Sequence, residues 1–139
     1  MKFQFSAESI LRLKDSELQQ AKNRCRLLQR QIEECRQAEQ QLRQDLETYT
    51  QSAHDTGQGF VDRDYISGIF ISLQQLNEQA QQLQNDLATA TQHSVALYQE
   101  TETLLQFKQE LFRTHRQTES KRELATQTDS IMHRRRRAT

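Results

Sequence analysis

A seven-residue apolar ladder constrains this chain more than any other feature. Ile69, Leu76, Leu83, Ala90, Leu97, Leu104 and Leu111 recur at every seventh position with no polar interruption. A companion register, Ile66, Leu73, Ala80 and Leu87, runs beside it and then turns polar at Ser94, Thr101, Lys108 and His115. A heptad sustained over so many turns keeps one narrow stripe on one side of an α-helix, the pattern of a coiled-coil seam. An ordinary amphipathic helix carries a wider stripe over a shorter run. The stretch from Ile66 to Leu111 therefore predicts a long helix packed lengthwise against another.

The partner helix is written earlier in the same chain. Leu11, Leu18, Ala21, Cys25, Leu28, Ile32, Cys35, Leu42, Leu46, Tyr49 and Ala53 form a second ladder, with Lys14 and Glu39 as its polar members. At its start, Ser6 suits an N-cap, Glu8 suits the positive first turn, and Phe5 with Ile10 stand at the positions of a hydrophobic staple. Between the ladders, the segment from His54 to Asp64 breaks the period. Gly57 and Gly59 supply stop and turn conformations, Asp62 is a candidate N-cap, and Val61 and Ile66 would staple the next helix. A short linker between two long amphipathic helices predicts an antiparallel αα-hairpin. Pairing Ala53 with Ile66 sets Leu18 opposite Thr101 and Leu11 opposite Lys108, which leaves the chain past Thr118 unpaired.

The expected fold is all-α: a single-domain antiparallel two-helix coiled-coil hairpin with a C-terminal helical overhang. Its expected bounds are helix 1 at about 6–54, the turn at about 55–62, helix 2 at about 63–130 and a basic tail at 131–139. About fifty paired residues at 1.5 Å each would make a rod of roughly 75 Å, with both termini at one pole.

Composition supports this reading. With 34% hydrophobic and 27% charged residues and no Pro, the chain lacks the apolar content of a compact core and suits a long solvated helix. Sustained register argues against disorder. With no apolar run of membrane length and no visible signal peptide, a cytoplasmic protein is expected. Cys25 and Cys35 lie ten residues apart, about 15 Å along a helix, too far for a disulfide within one chain. Both fall on the ladder and read as small buried hydrophobes. Net charge is zero, but residues 1–43 carry 9 basic and 6 acidic groups, 44–110 carry 2 and 10, and 111–139 carry 8 and 3. The expected hairpin is thus acidic through its middle and turn and basic where its ends meet.

No catalytic constellation is present in the sequence. His54, His93, His115 and His133 are scattered and match no metal-ligand spacing, and the two glycines of the linker lack the Lys-Ser/Thr of a phosphate loop. A non-enzyme without metal or cofactor is expected. Arg134-Arg135-Arg136-Arg137 raises nucleic acid as a partner. A basic-zipper protein, however, carries its cations on a helix leading straight into the heptads, and no aromatics interleave this run. Specific nucleic-acid binding is not expected. Two apolar sets instead fall off the seam and point to protein partners. Near the termini these are Tyr98, Leu105, Phe107 and Phe112, with Ile10 and Leu13; near the turn they are Tyr65, Phe70 and Ile71. Phe3 and Phe5 are the internal alternative for covering the first set.

Several of these residues together resemble the flagellar export protein FliJ family. They are Phe3-x-Phe5, Ile10-Leu11-x-Leu13, Glu17 and Ala21 at the head of a long helix, then Leu42, Leu46 and Tyr49. The Gly-containing turn, Tyr65 with Phe70-Ile71 and Leu73, and a charged final helix closing on arginines complete the likeness. It covers nearly the whole chain, and one departure is visible: the family tail often carries Asp-Glu where this chain has Asp129-Ser130. The resemblance implies a cytoplasmic stalk of the type III export apparatus, similar to the two-helix stalk of rotary ATPases. Such a stalk binds the hexameric export ATPase, links it to the cytoplasmic domain of the export gate and escorts export chaperones, meeting the membrane through partners only. On that reading Ile10, Leu13, Leu105, Phe107, Phe112 and Arg134, Arg135, Arg136 and Arg137 contact the ATPase ring. Tyr49, Tyr65, Phe70 and Ile71 face the gate, Tyr49 serving the seam first. An injectisome stalk, or a coiled-coil scaffold unrelated to secretion, is the alternative.

Overall fold

The computed structural model describes residues 3–55 and 62–138. Within them the chain is all-α: an antiparallel two-helix hairpin of α1 (Glu8–Asp55) and α2 (Arg63–Ala138). Gly57, Gly59 and Val61, to which the sequence assigns turn and staple roles, lie outside the described residues. The chain divides into two compact units. A turn unit holds residues 18–96, and a terminal unit joins 1–17 to 97–139.

In the turn unit, the seam falls where the ladders place it. Leu18, Ala21, Leu28, Ile32 and Cys35 of α1 and Ile69, Ala80 and Ala90 of α2 are buried. Leu42, Leu46, Tyr49, Ala53, Ile66, Leu73, Leu76, Leu83 and Leu87 are half-buried. Cys35 is buried as expected, whereas Cys25 is only half-buried. Both are free thiols. Among the described residues no side chain falls below 2% exposure, because two helices can cover only one flank of each other's stripe.

Asp62 caps α2 as its side chain suggests: Oδ1 accepts from the Asp64 N–H at 3.0 Å and the Tyr65 N–H at 3.4 Å. The sequence did not indicate what holds this cap to α1. The backbone N–H of Asp62 donates to the Tyr49 hydroxyl at 2.9 Å, and the Tyr49 and Tyr65 rings pack at 4.6 Å between centroids. This clasp sets Tyr49, rather than His54 or its neighbours, beside Tyr65. The pairing therefore lies about one helical turn nearer the start of α1 than the expected match of Ala53 with Ile66.

The terminal unit shows the same offset. Lys108 Nζ meets Glu8 Oε2 at 2.8 Å instead of lying against Leu11, and Lys14 Nζ meets Glu100 Oε2 at 2.8 Å. Its buried residues are Phe5, Leu11, Leu97 and Thr101. Thr101 is satisfied locally, its Oγ1 donating to the Leu97 carbonyl at 2.8 Å.

Two expectations at helix ends need correction. α1 begins at Glu8, two residues after Ser6, and the Glu8 N–H closes onto the Phe5 carbonyl at 3.1 Å. The Phe5–Ile10 staple does not form: Phe5 is buried and packs on Phe107 at 6.0 Å, while Ile10 is 50% exposed. At the other end there is no separate tail, since α2 runs on to Ala138. Neither Pro nor Gly follows Gly68, so nothing in the sequence breaks this helix.

Candidate functional site

The terminal unit gathers most of the residues singled out for partner contact. Ile10 and Leu13 are 50% and 58% exposed on α1; Tyr98, Phe107 and Phe112 are 51%, 51% and 43% exposed on α2. Leu105 differs. It is half-buried and contributes to the seam flank more than to an open surface.

The N-terminal residues cover part of this stripe. Phe3 packs edge-on against Phe112 at 5.1 Å and against the His115 ring at 5.5 Å, and Phe5 meets Phe107. The internal alternative thus holds in part, yet both α2 rings keep roughly half their surface open. Arg116 lies over Phe112, its Cζ 5.8 Å from the ring centroid, so an aromatic face is already paired with a cation. Phe112, Arg113, Arg116 and Lys121 line an open groove along α2. Chemically this surface offers flat apolar area edged by cations, suited to a partner with apolar and acidic groups.

Charge contacts across the seam hold the unit in alignment. The Glu8 Oε2 oxygen is shielded from water and lacks a well-directed hydrogen bond, so the ammonium of Lys108 satisfies it by charge. Lys14 touches both Glu100 and, at 3.6 Å, Glu17. The hydrogen bond to Glu100 raises the Lys14 pKa above its ordinary value, with the charges of Glu100 and Glu17 adding to it and desolvation opposing.

In the turn unit the four candidate residues separate into two kinds. Tyr49 is half-buried and committed to the clasp, and Tyr65, 43% exposed, leans on it. Phe70 and Ile71 stand 57% and 56% exposed on α2 with no seam role. Arg134 to Arg137 are exposed on the last turns of α2. Sequence reasoning passed over Leu124, Ile131 and Met132, which are 68%, 54% and 57% exposed. The seven-residue spacing of Leu124 and Ile131, beyond the reach of α1, was the available signal.

Among the described residues there is no cluster of three or more His, Cys, Asp or Glu side chains able to hold a metal ion. None of the described helices is long and apolar enough to cross a membrane. No family model, curated protein or solved structure matches the chain.

Proposed function

We propose that this protein is a non-catalytic stalk of the flagellar type III export apparatus. It binds the hexameric export ATPase in the cytoplasm, couples it to the export gate and escorts export chaperones. The observation that supports this most is that aromatic side chains on both flanks of the terminal unit stay half open after the hairpin has formed. Phe107 and Phe112 keep 51% and 43% exposure although Phe3 and Phe5 pack on them. Large apolar side chains left open in this way on a polar helix pair mark contact surfaces. Ile10, Leu13 and Phe112 would meet the ATPase ring, with Arg134 to Arg137 against acidic loops. Phe70 and Ile71 would meet the gate.

The test is capture of the purified export ATPase by Phe112→Asp and by Phe70→Asp protein. Phe112→Asp keeps its helical circular dichroism and loses most ATPase binding. Phe70→Asp keeps ATPase binding and loses the gate's cytoplasmic domain. Unfolding by the first, or equal loss of both partners by either, would remove the division of labour between the two surfaces.

A further inference from the structure

The last five turns of α2 carry an apolar arc that none of the described residues covers. Every described side chain from Lys121 to Arg137 is exposed. At about 100° per residue, Leu124, Ile131 and Met132 fall within an arc of roughly 100°, with Thr128, Lys121 and Arg135 between them. Glu123 and Asp129 fall outside that arc. From Lys121 to Ala138 there are six cations, Lys121, Arg122 and Arg134 to Arg137, against those two acids. Four of the cations close the helix, where they also complement its dipole.

The composition of the arc selects among occupants. A partner helix would need a second apolar register beside Leu124 and Ile131, and that register holds Lys121, Thr128 and Arg135. Two cations in a heptad core oppose such a seam. Duplex nucleic acid would use the arginines and leave Leu124, Ile131 and Met132 in water. A lipid surface uses both: the apolar side chains enter the acyl boundary while long basic side chains within the arc reach up to headgroup phosphates.

We propose that this terminal segment of α2 lies on anionic membrane surfaces as an interfacial amphipathic helix. Its apolar arc turns inward and its arginines engage acidic lipid headgroups. This contact is direct and shares Arg134 to Arg137 with the ATPase contact assigned above, but flotation of the chain with vesicles alone tests it apart from any export partner.

The experiment is flotation of the full chain with vesicles of phosphatidylcholine alone and with about 30% phosphatidylglycerol, over a salt series. Each arginine near an anionic surface contributes roughly a fivefold factor, so neutral and anionic vesicles should differ by a hundredfold or more at low salt. Replacing Arg134 to Arg137 by Gln should abolish the difference. Leu124→Ser/Ile131→Ser/Met132→Ser, with all arginines kept and helicity checked by circular dichroism, should weaken anionic binding about tenfold. Equal affinity for both vesicle types, no binding to either, an undiminished triple variant, or tighter capture by a DNA duplex than by anionic vesicles would each overturn the assignment.

Discussion

Leu97→Ala and Leu13→Ala make the same chemical change at two positions of the terminal unit, so their difference isolates burial. Leu97 is 4% exposed and sits on the unbroken ladder, while Leu13 is 58% exposed on the opposite helix. A buried Leu→Ala change costs about 2–5 kcal/mol, of which the upper part is the cavity left behind. With no side chain sealed from solvent among the described residues, the seam can partly collapse, so about 3 kcal/mol is expected at Leu97. At Leu13 there is no cavity term, and less than half of a leucine's transfer energy of about 2 kcal/mol is at stake. The helix preference of Ala offsets part of the rest, leaving under about 1 kcal/mol.

For a chain of this size one kcal/mol moves Tm by roughly 3 °C. Leu97→Ala should therefore lower Tm by about 9 °C and Leu13→Ala by less than about 3 °C. Melting followed at 222 nm measures both. Titration of each variant with the export ATPase then separates stability from contact. Leu13→Ala should weaken binding at a temperature where both proteins are folded, and Leu97→Ala should not. Equal losses of Tm would mean that Leu13 is packed and that the open stripe is part of the core. Full ATPase affinity in Leu13→Ala would withdraw that residue from the proposed contact.

Three further outcomes follow from particular residues. Gly68 lies in the second turn of α2 with nothing within 4 Å of where a Cβ would stand, so Gly68→Ala should stabilise by about 0.5–1 kcal/mol in urea unfolding. Tyr49→Phe leaves the Asp62 N–H without its acceptor and should cost about 1 kcal/mol, with faster amide exchange at Asp62 as the local sign. The raised Lys14 pKa means that its contribution is complete below the ordinary lysine value and fades as pH climbs through the higher folded value. Wild type should lose Tm above about pH 10.4 more steeply than Lys14→Met, and parallel curves would exclude the pair with Glu100 as the cause.

The seam was legible because it is periodic. Burial of Leu11, Leu18, Leu28, Ile32, Ile69 and Leu97 follows from spacing alone, since a helix converts position modulo seven into a face. The register was not legible to the same precision, because it depends on particular polar contacts, the Tyr49 hydroxyl in the turn unit and the Lys14 and Lys108 ion pairs in the terminal unit. Tyr49 reads as one more ladder residue, but its oxygen also takes the Asp62 N–H and ties the start of α2 to α1. The start of α1 was misread for a similar reason: Phe5 is used between helices, on Phe107, and not locally as a staple. At the C-terminus the expected helix end near 130 falls short of the observed Ala138. The arginines read as a tail, although the helix has no reason to stop before them.

The polar turn taken by the companion register on α2 also acquires a physical meaning. Thr101 is buried, and Lys108 and His115 are half-buried, at positions where the first half of α2 keeps Ile66, Leu73, Ala80 and Leu87. Two have a local answer, Thr101 bonding the Leu97 carbonyl and Lys108 meeting Glu8, while His115 Nε2 stands 3.2 Å from Glu119, shielded from water and without a well-directed hydrogen bond. Apolar ladders slide by a heptad at little cost, because every rung resembles the next. A lysine paired with Glu8 and a second lysine paired with Glu100 favour one alignment over its heptad-shifted neighbours. Such partly exposed pairs add little stability, on the order of 0–1 kcal/mol each. Their effect is to set which residues of the terminal unit face outward together. Phe107 and Phe112, five residues apart and so about 140° apart around α2, open on opposite flanks of the seam, so the weak pairs set which α1 residues stand beside each ring and the apolar seam holds them there.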